Sequence, residues 1–394
     1  MIEVKEKLWN SNYIKVSIAN FMLFFAFYLL TPLLPLYMSE QFHATKDVIG
    51  IVLSGYTVLA LLFRPFSGYI VDSFPRKQVL MICFFLFFIF FAGYIVAGSL
   101  LLFAVIRTLH GGPFGAVTVA NSTVAIDVLP SSRRTEGIGY YGLSNNVAMA
   151  IGPTIAIYIY NFVHSFEVLF WMAFIVAGLG LVIDATVKLK SREFVKPKSR
   201  LSLDRFLLVK GTLLGINLIL FGFCFGVLSN YLAIYGKEVL GITSGTGTYF
   251  MLLAVGLILS RLEGASSLRK GKITYNASVG VGFSLLGYIL FVTCNNYFGY
   301  YGSAILIGLG NGHMFPAFQN MFINLAEHNQ RGTANSTLLI SWDIGMGIGI
   351  LVGGVVAEYY GYTVAFWTTV VSNAAGVAMY FITTRGYYLR NKLR

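Results

Sequence analysis

Apolar residues gather in runs of twenty or so, separated by short polar segments, along almost the whole chain. About 20 apolar residues is the length an α-helix needs to cross a ~30 Å hydrocarbon core. Such runs are read at 14–38, 47–70, 79–98, 101–125, 137–161, 166–187, 211–235, 245–262, 275–293, 300–323, 333–357 and 363–383. None alternates with a period of two, as a barrel strand would. A backbone in lipid must close its own hydrogen bonds, so each run is expected to be helical. The pattern predicts an all-α integral membrane protein with about twelve transmembrane helices. The first run, from Ile14 to Tyr37, is too long for a signal h-region and has no small-residue cleavage site, so it reads as a span.

The longest polar connection, Lys188 to Arg205, lies about halfway along and is basic. It divides the chain into an N-terminal six-helix bundle (1–187), a linker on the lipid surface (188–210) and a C-terminal six-helix bundle (211–394). The two halves repeat. Asn20 and Asn217, Arg64 and Arg261, Arg134 and Arg331, and Gly152 and Gly349 are all separated by 197 positions. At that same offset Ser144, Asn145 and Asn146 fall on Ser341, Trp342 and Asp343. Repeats of this kind build transporters whose solute site lies between halves near the midplane.

Composition agrees. Charged residues make up 11% of the chain and hydrophobic ones 57%, with a mean hydropathy of +0.73. A soluble domain carries about 25% charged residues. The net charge of +12 would suit nucleic acid, but the basic residues sit between apolar runs. With both termini cytoplasmic, the inside collects 23 of the 28 Lys and Arg, and the outside only Lys46 and Lys237. That asymmetry sets orientation and favours anionic headgroups at the cytoplasmic face. The expected setting is the inner (plasma) membrane, multi-pass and monomeric. Cys83, Cys224 and Cys294 have no metal-ligand spacing and read as small apolar residues.

After the second run stand Gly68, Asp72, Arg76 and Lys77. Gly68 lets helices approach, and Asp72 can hold a cation or a helix N-terminus. This resembles the loop signature of the major facilitator superfamily. Ser73 and Pro75 depart from it, and the second copy, around Gly264, has Leu268 in place of the acid. Arg107 and Gly111 resemble the family's Arg-x-x-x-Gly motif. Gly142, Gly152 and Pro153 resemble its antiporter motif, with Ala156 and Ile157 replacing the final glycines. The likeness extends over the whole chain and runs toward bacterial proton-coupled efflux carriers. It implies that spans 1, 4, 7 and 10 line a cavity between two bundles, and that Asp72 latches the end of span 11.

A charge near the bilayer centre costs at least about 2.5–3.5 kcal/mol on insertion scales, so it is a functional candidate by default. Among sixteen acidic residues only Asp343 lies near the middle of a run, flanked by Gly345, Gly347 and Gly349. It is the leading proton site, against a structural carboxylate. Arg107 and His110 share a helical face with Phe114 and Asn121, suited to coupling or to packing. His313 and Asn311, two residues apart, cannot share one face. Asn20, Asn121, Asn146 and Asn217 would bind a polar solute or knit helices together. Phe24, Tyr28 and Tyr231 would form apolar wall. Arg64, Arg261 and Glu263 suit snorkelling or gate ion pairs.

No HExxH, no nucleotide loop and no nucleophile with its base appear, so catalysis, a cofactor and a bound metal are not expected. The energy source is then an ion gradient. The leading reading is proton-coupled efflux of small amphipathic molecules by antiport. The alternatives are uptake or exchange of a polar nutrient such as a sugar and, more remotely, a membrane-embedded lipid-modifying enzyme.

Overall fold

The computed structural model describes residues 7–31, 33–44, 46–189, 206–242 and 245–393. Most of the basic linker, 190–205, lies outside the described residues. The described chain is helical, with no strand. The helices are α1 (Ser11–Leu30), α2 (Leu34–Phe42), α3 (Lys46–Ser73), α4 (Arg76–Val96), α5 (Leu100–Val128), α6 (Arg134–Val163), α7 (Phe166–Ala185), α8 (Thr212–Glu238), α9 (Thr246–Arg269), α10 (Ile273–Thr293), α11 (Tyr297–Leu325), α12 (Arg331–Tyr360), α13 (Tyr362–Met379) and α14 (Arg385–Asn391). Among the described residues, nine helices are long and apolar enough to cross a membrane. The polar-richer α6, α9 and α11 have 30, 24 and 29 residues, also longer than a ~20-residue span.

The repeat reaches the helix ends. Shifted by 197, α4, α5 and α6 coincide with α10, α11 and α12. Ser99 caps α5 by accepting from the Leu102 amide, and its counterpart Asn296 caps α11 through the Gly299 amide. Each side chain satisfies one of the orphan N–H groups of a helix start. His164 (φ 52°) ends α6, and its counterpart Gly361 (φ 84°) separates α12 from α13, both in left-handed backbone.

Two departures from the hydropathy reading have local causes. The first run, read as one span over 14–38, breaks after Leu30 and resumes at Leu34 with Pro35 in the first turn of α2. A proline there forfeits no helical hydrogen bond. The last run does not stop at 383. A five-residue π turn, Tyr380–Thr384, joins α13 to α14, and Tyr388 of α14 is anchored by a hydrogen bond from Asn324.

The chain forms two compact units. The first comprises 1–137, 144–207 and 330–336, and the second 138–143, 208–329 and 337–394. Inside the first, α1 packs on α7, α3 on α5, and α4 on both α5 and α7. Inside the second the counterparts repeat this: α8 on α13, α9 on α11, and α10 on both α11 and α13. Close approach of α5 to α3 depends on Gly111, where a Cβ would strike the Tyr56 carbonyl. Its counterpart Gly308 brings α11 onto the Leu253 carbonyl of α9. Without a hydrophobic drive between helices in lipid, such small residues allow the van der Waals contact that holds them.

Gly308→Ala should therefore destabilise the second unit by about 1–3 kcal/mol, the usual cost of overpacking. Gly347→Ala, where a Cβ meets nothing within 4 Å, should leave the thermal unfolding midpoint of the purified protein unchanged or raise it. Equal melting of the two variants would contradict the packing account.

Candidate functional site

The polar residues of the first unit fall into three clusters. At the end of α3, Asp72 faces the start of α12. Its Oδ1 accepts from the Gly332 amide at 3.0 Å, and its Oδ2 from the Thr333 amide at 2.9 Å and the Thr333 hydroxyl at 3.1 Å. These amides are among the orphan donors of the α12 N-terminus, where the helix dipole favours an anion. Arg76 donates to Asp72 at 2.9 Å and also to Asp127. Arg331 reaches Asp127 at 3.5 Å. Two carboxylates and two guanidiniums thus alternate, mostly out of water. Gly68 makes room for this, since a Cβ there would lie 2.8 Å from the Ser336 Cβ. Beside it, the Ser336 hydroxyl donates to the Arg64 carbonyl.

Lys77 does not join this cluster. Its ammonium donates to the carbonyls of Asp184, Ala185 and Val187, capping the end of α7. Asp127 was absent from the sequence candidates. It closes α5 opposite Arg76, and only the turn between α3 and α4 brings the two together.

The second cluster is on α5. Arg107 is buried, with its guanidinium 4.0 Å from the Tyr56 ring centroid and 5.7 Å from that of Phe27. Its Nη1 donates to the Tyr94 hydroxyl at 3.2 Å, and that hydroxyl lies 2.7 Å from His110 Nδ1. Tyr94 has one proton. It accepts from Arg107 and shares a second hydrogen bond with His110 Nδ1. The rings of Phe87, Phe90 and Phe91 enclose His110 at centroid distances of 4.8, 5.3 and 4.9 Å. Tyr94 was another residue that sequence reasoning missed.

The third cluster joins α1, α5 and α6. Asn20 donates to the Ser144 hydroxyl at 2.8 Å and accepts from Asn121 at 3.5 Å. On the same helix Phe24 and Tyr28 stack at 6.2 Å and are half-buried. Gly152, one residue before the in-helix Pro153 of α6, lets α6 close on Tyr28, whose Cβ would lie 2.9 Å from an added one. Asn146 is half-buried two turns earlier in α6.

In the second unit, His313 of α11 is buried, with Nδ1 3.0 Å from Asn276 Oδ1 and Nε2 3.9 Å from the exposed Glu263. Arg261 runs along the start of α6, where a Cβ on Gly139 would be 3.4 Å from its Nη1 and one on Gly142 3.9 Å from its Nη2. Asn217 is fully buried and donates to the Gly376 carbonyl, knitting α8 to α13. The Tyr231 hydroxyl donates to the Ile350 carbonyl. Asn311 is half-buried. Asp343 is half-buried in the middle of α12, and near it Gly345 and Gly349 meet the backbone of α8 while Gly347 faces open space. No group of three or more His, Cys, Asp or Glu side chains suited to a metal occurs among the described residues.

The sequence model of the Major Facilitator Superfamily matches residues 16–328 and 277–393. The chain is 24% identical to the staphylopine export protein of Staphylococcus aureus (strain Mu50), covering 89% of this chain and 90% of that one. It is 22% identical to the quinolone resistance protein NorA of Staphylococcus aureus (strain MRSA252), covering 86% and 88%. In fold it is similar to the human organic anion transporter MFSD10, with a TM-score of 0.81 at 16% identity, over 94% of this chain and 98% of that one.

Asp72→Asn keeps the side-chain shape and removes the charge. The charge-assisted bonds to Arg76 and the α12 amides should weaken by about 1.5–3 kcal/mol. Hydrogen exchange of the peptide spanning 328–336 should then accelerate by an order of magnitude or more, while exchange in α10 stays as in the wild type. Unchanged exchange at 332 and 333 would show that the carboxylate does not hold that helix start.

Proposed function

The chain belongs to the Major Facilitator Superfamily and is a multi-pass membrane transporter rather than an enzyme, and on that premise we propose that it exports small amphipathic molecules in exchange for protons by alternating access. Both relatives named above are named for export or drug resistance and align over most of this chain. In this reading twelve spans form two six-helix halves, 1–187 and 211–394, joined by 188–210. Both termini are cytoplasmic, the protein is a monomer, and its basic face meets anionic lipid.

The observation that carries the coupling is Asp343. It stands thirteenth of thirty residues in α12, and at a ~1.5 Å rise per residue that is ~18 Å into the helix. Its counterpart in the repeat is the uncharged Asn146. Packing alone would be served by an amide at both places, whereas a carboxylate can also bind and release a proton. The small residues beside it leave room on one side, at Gly347. Water reaching the carboxylate from opposite faces in two states would let proton and substrate use it in turn. His110 and His313 are secondary proton candidates, because each already has a polar partner at Nδ1.

The amides give little support to a polar-nutrient carrier. Asn217 is committed to a helix carbonyl and Asn20 to Ser144, so neither presents its donor to a sugar hydroxyl.

Asp343→Asn should abolish concentrative transport in reconstituted vesicles with an imposed pH gradient. Downhill exchange and substrate binding should remain measurable. Gradient-driven accumulation at the wild-type level by the Asn variant would sink the assignment. Counterflow of labelled sugars, run beside dye efflux, separates the nutrient reading from the export reading.

A further inference from the structure

We propose that Arg107, steadied by Tyr94 and set behind the aromatic face of α1, is a receptor for the anionic head of the substrate, so that the class carried is organic anions with an apolar or aromatic body. This rests on the reading of the chain as an exporter of small amphipathic molecules and names what that site selects.

Arg107 is a buried charge with no ion-pair partner among the described residues. Arg107 is 4% exposed, and arginine stays protonated in proteins. A buried guanidinium is ordinarily matched by a carboxylate. Here no ion pair to Arg107 occurs among the described residues. Asp72 and Asp127 pair with Arg76, Glu136 pairs with Arg133, and Glu40 accepts from Tyr160, while Asp184, whose oxygens have no hydrogen bond among the described residues, stands at the end of α7 near Lys77. What Arg107 has instead is the Tyr56 face, the more distant Phe27 face and one hydrogen bond to a neutral phenol. A guanidinium has five N–H donors in a fixed fork. Its Nε has no hydrogen-bond partner among the described residues. The missing complement is a planar, negatively charged acceptor, which arginine binds in bidentate fashion.

The surroundings specify the rest of the ligand. Phe24, Phe27 and Tyr28, spaced along α1, are half-buried and leave part of each ring uncovered. Phe27 stacks on Tyr56 at 5.4 Å, so the uncovered rings continue directly into the wall that carries the guanidinium. An apolar body laid on those rings would put a terminal carboxylate or sulfonate toward Arg107. Tyr94 cannot replace the anion, because the phenol oxygen that accepts from Arg107 is neutral. The same arrangement disfavours organic cations, which would meet a like charge in a low-dielectric setting without an acid to offset it. The repeat does not carry the feature over, since Ala304 and Ile307 stand where it would put Arg107 and His110.

The test is isothermal titration calorimetry on the full chain in lipid nanodiscs, with three probes of one shape: 2-naphthoate, 2-naphthamide and 2-naphthylmethylammonium. 2-Naphthoate should bind at least tenfold tighter than either of the others. Arg107→Gln should bring naphthoate down to the level of naphthamide and leave naphthamide within threefold of the wild type. Arg107→Lys, which keeps the charge and loses the fork, should fall in between. Binding of no probe, or equal affinity for all three, overturns the proposal. So does preference for the ammonium, or naphthoate affinity indifferent to Arg107→Gln. Parallel loss of naphthoate and naphthamide in that variant would mark Arg107 as structural and also overturn it. Should the Gln variant not fold, the wild-type probe series and Arg107→Lys decide. The export reading fails separately, if a probe that binds shows no flux driven by a pH gradient.

Discussion

The governing constraint is that a backbone in hydrocarbon has no water to bond. Every N–H and C=O must be paired within the protein, and a helix does this internally. Once that is met, polar side chains become the exceptions, and each needs an identifiable partner. In the second unit several find one on a neighbouring backbone. Asn217 donates to the Gly376 carbonyl, Cys224 to the Thr369 carbonyl and Tyr380 to the Thr274 carbonyl. Such bonds are worth about 0.6 kcal/mol on average in membranes, because the unfolded reference state also finds partners. They fix which helix faces which more than they add stability.

The internal repeat separates scaffold from chemistry. Helix ends, capping side chains and the glycines that bring α5 onto α3 and α11 onto α9 recur at one offset. Arginines recur at 64 and 261 and at 134 and 331, but the acids do not. Asp127 is matched by Asn324, which holds the Tyr388 hydroxyl and the Leu393 amide instead of two arginines. At that offset Asp72 falls on Arg269, next to the Leu268 of the second loop copy, and Glu263 is matched by Phe66. Packing therefore explains what the copies share, and each unshared charge calls for a reason that belongs to one unit.

Much of this was legible in the sequence. Runs of the length of a membrane span announced the helices, and five residue pairs at one spacing announced the repeat. The loop with Gly68 and Asp72 pointed at the start of α12, where the structure finds three hydrogen bonds to Asp72. Contacts that depend on how one helix is rotated against another were not legible. Tyr94 is one of 24 tyrosines, and nothing in the spacing of α4 relates it to Arg107 of α5. The bond between Asn276 and His313 was hidden in the same way, since it joins residues 37 apart. The break between α1 and α2 escaped because hydropathy stays high through it.

Magnitudes decide which of the imperfectly satisfied groups matter. The Oδ1 atoms of Asn121, Asn217 and Asn373 are buried without a hydrogen bond among the described residues. A neutral amide oxygen left so costs about 1–3 kcal/mol, a cost that a close helix contact can offset. Asn217 and Asn373 each still donate their NH2 group across a helix pair. A guanidinium differs in kind, because removing an ion from water costs several kcal/mol even after relaxation. Two aromatic faces return ~0.5–2 kcal/mol each, and the bond to Tyr94 adds ~1.5–3 kcal/mol. The rings nearly balance the charge of Arg107 without neutralising it. That near balance keeps the arginine in place when nothing is bound and leaves its strongest partner, an anion, still to be supplied.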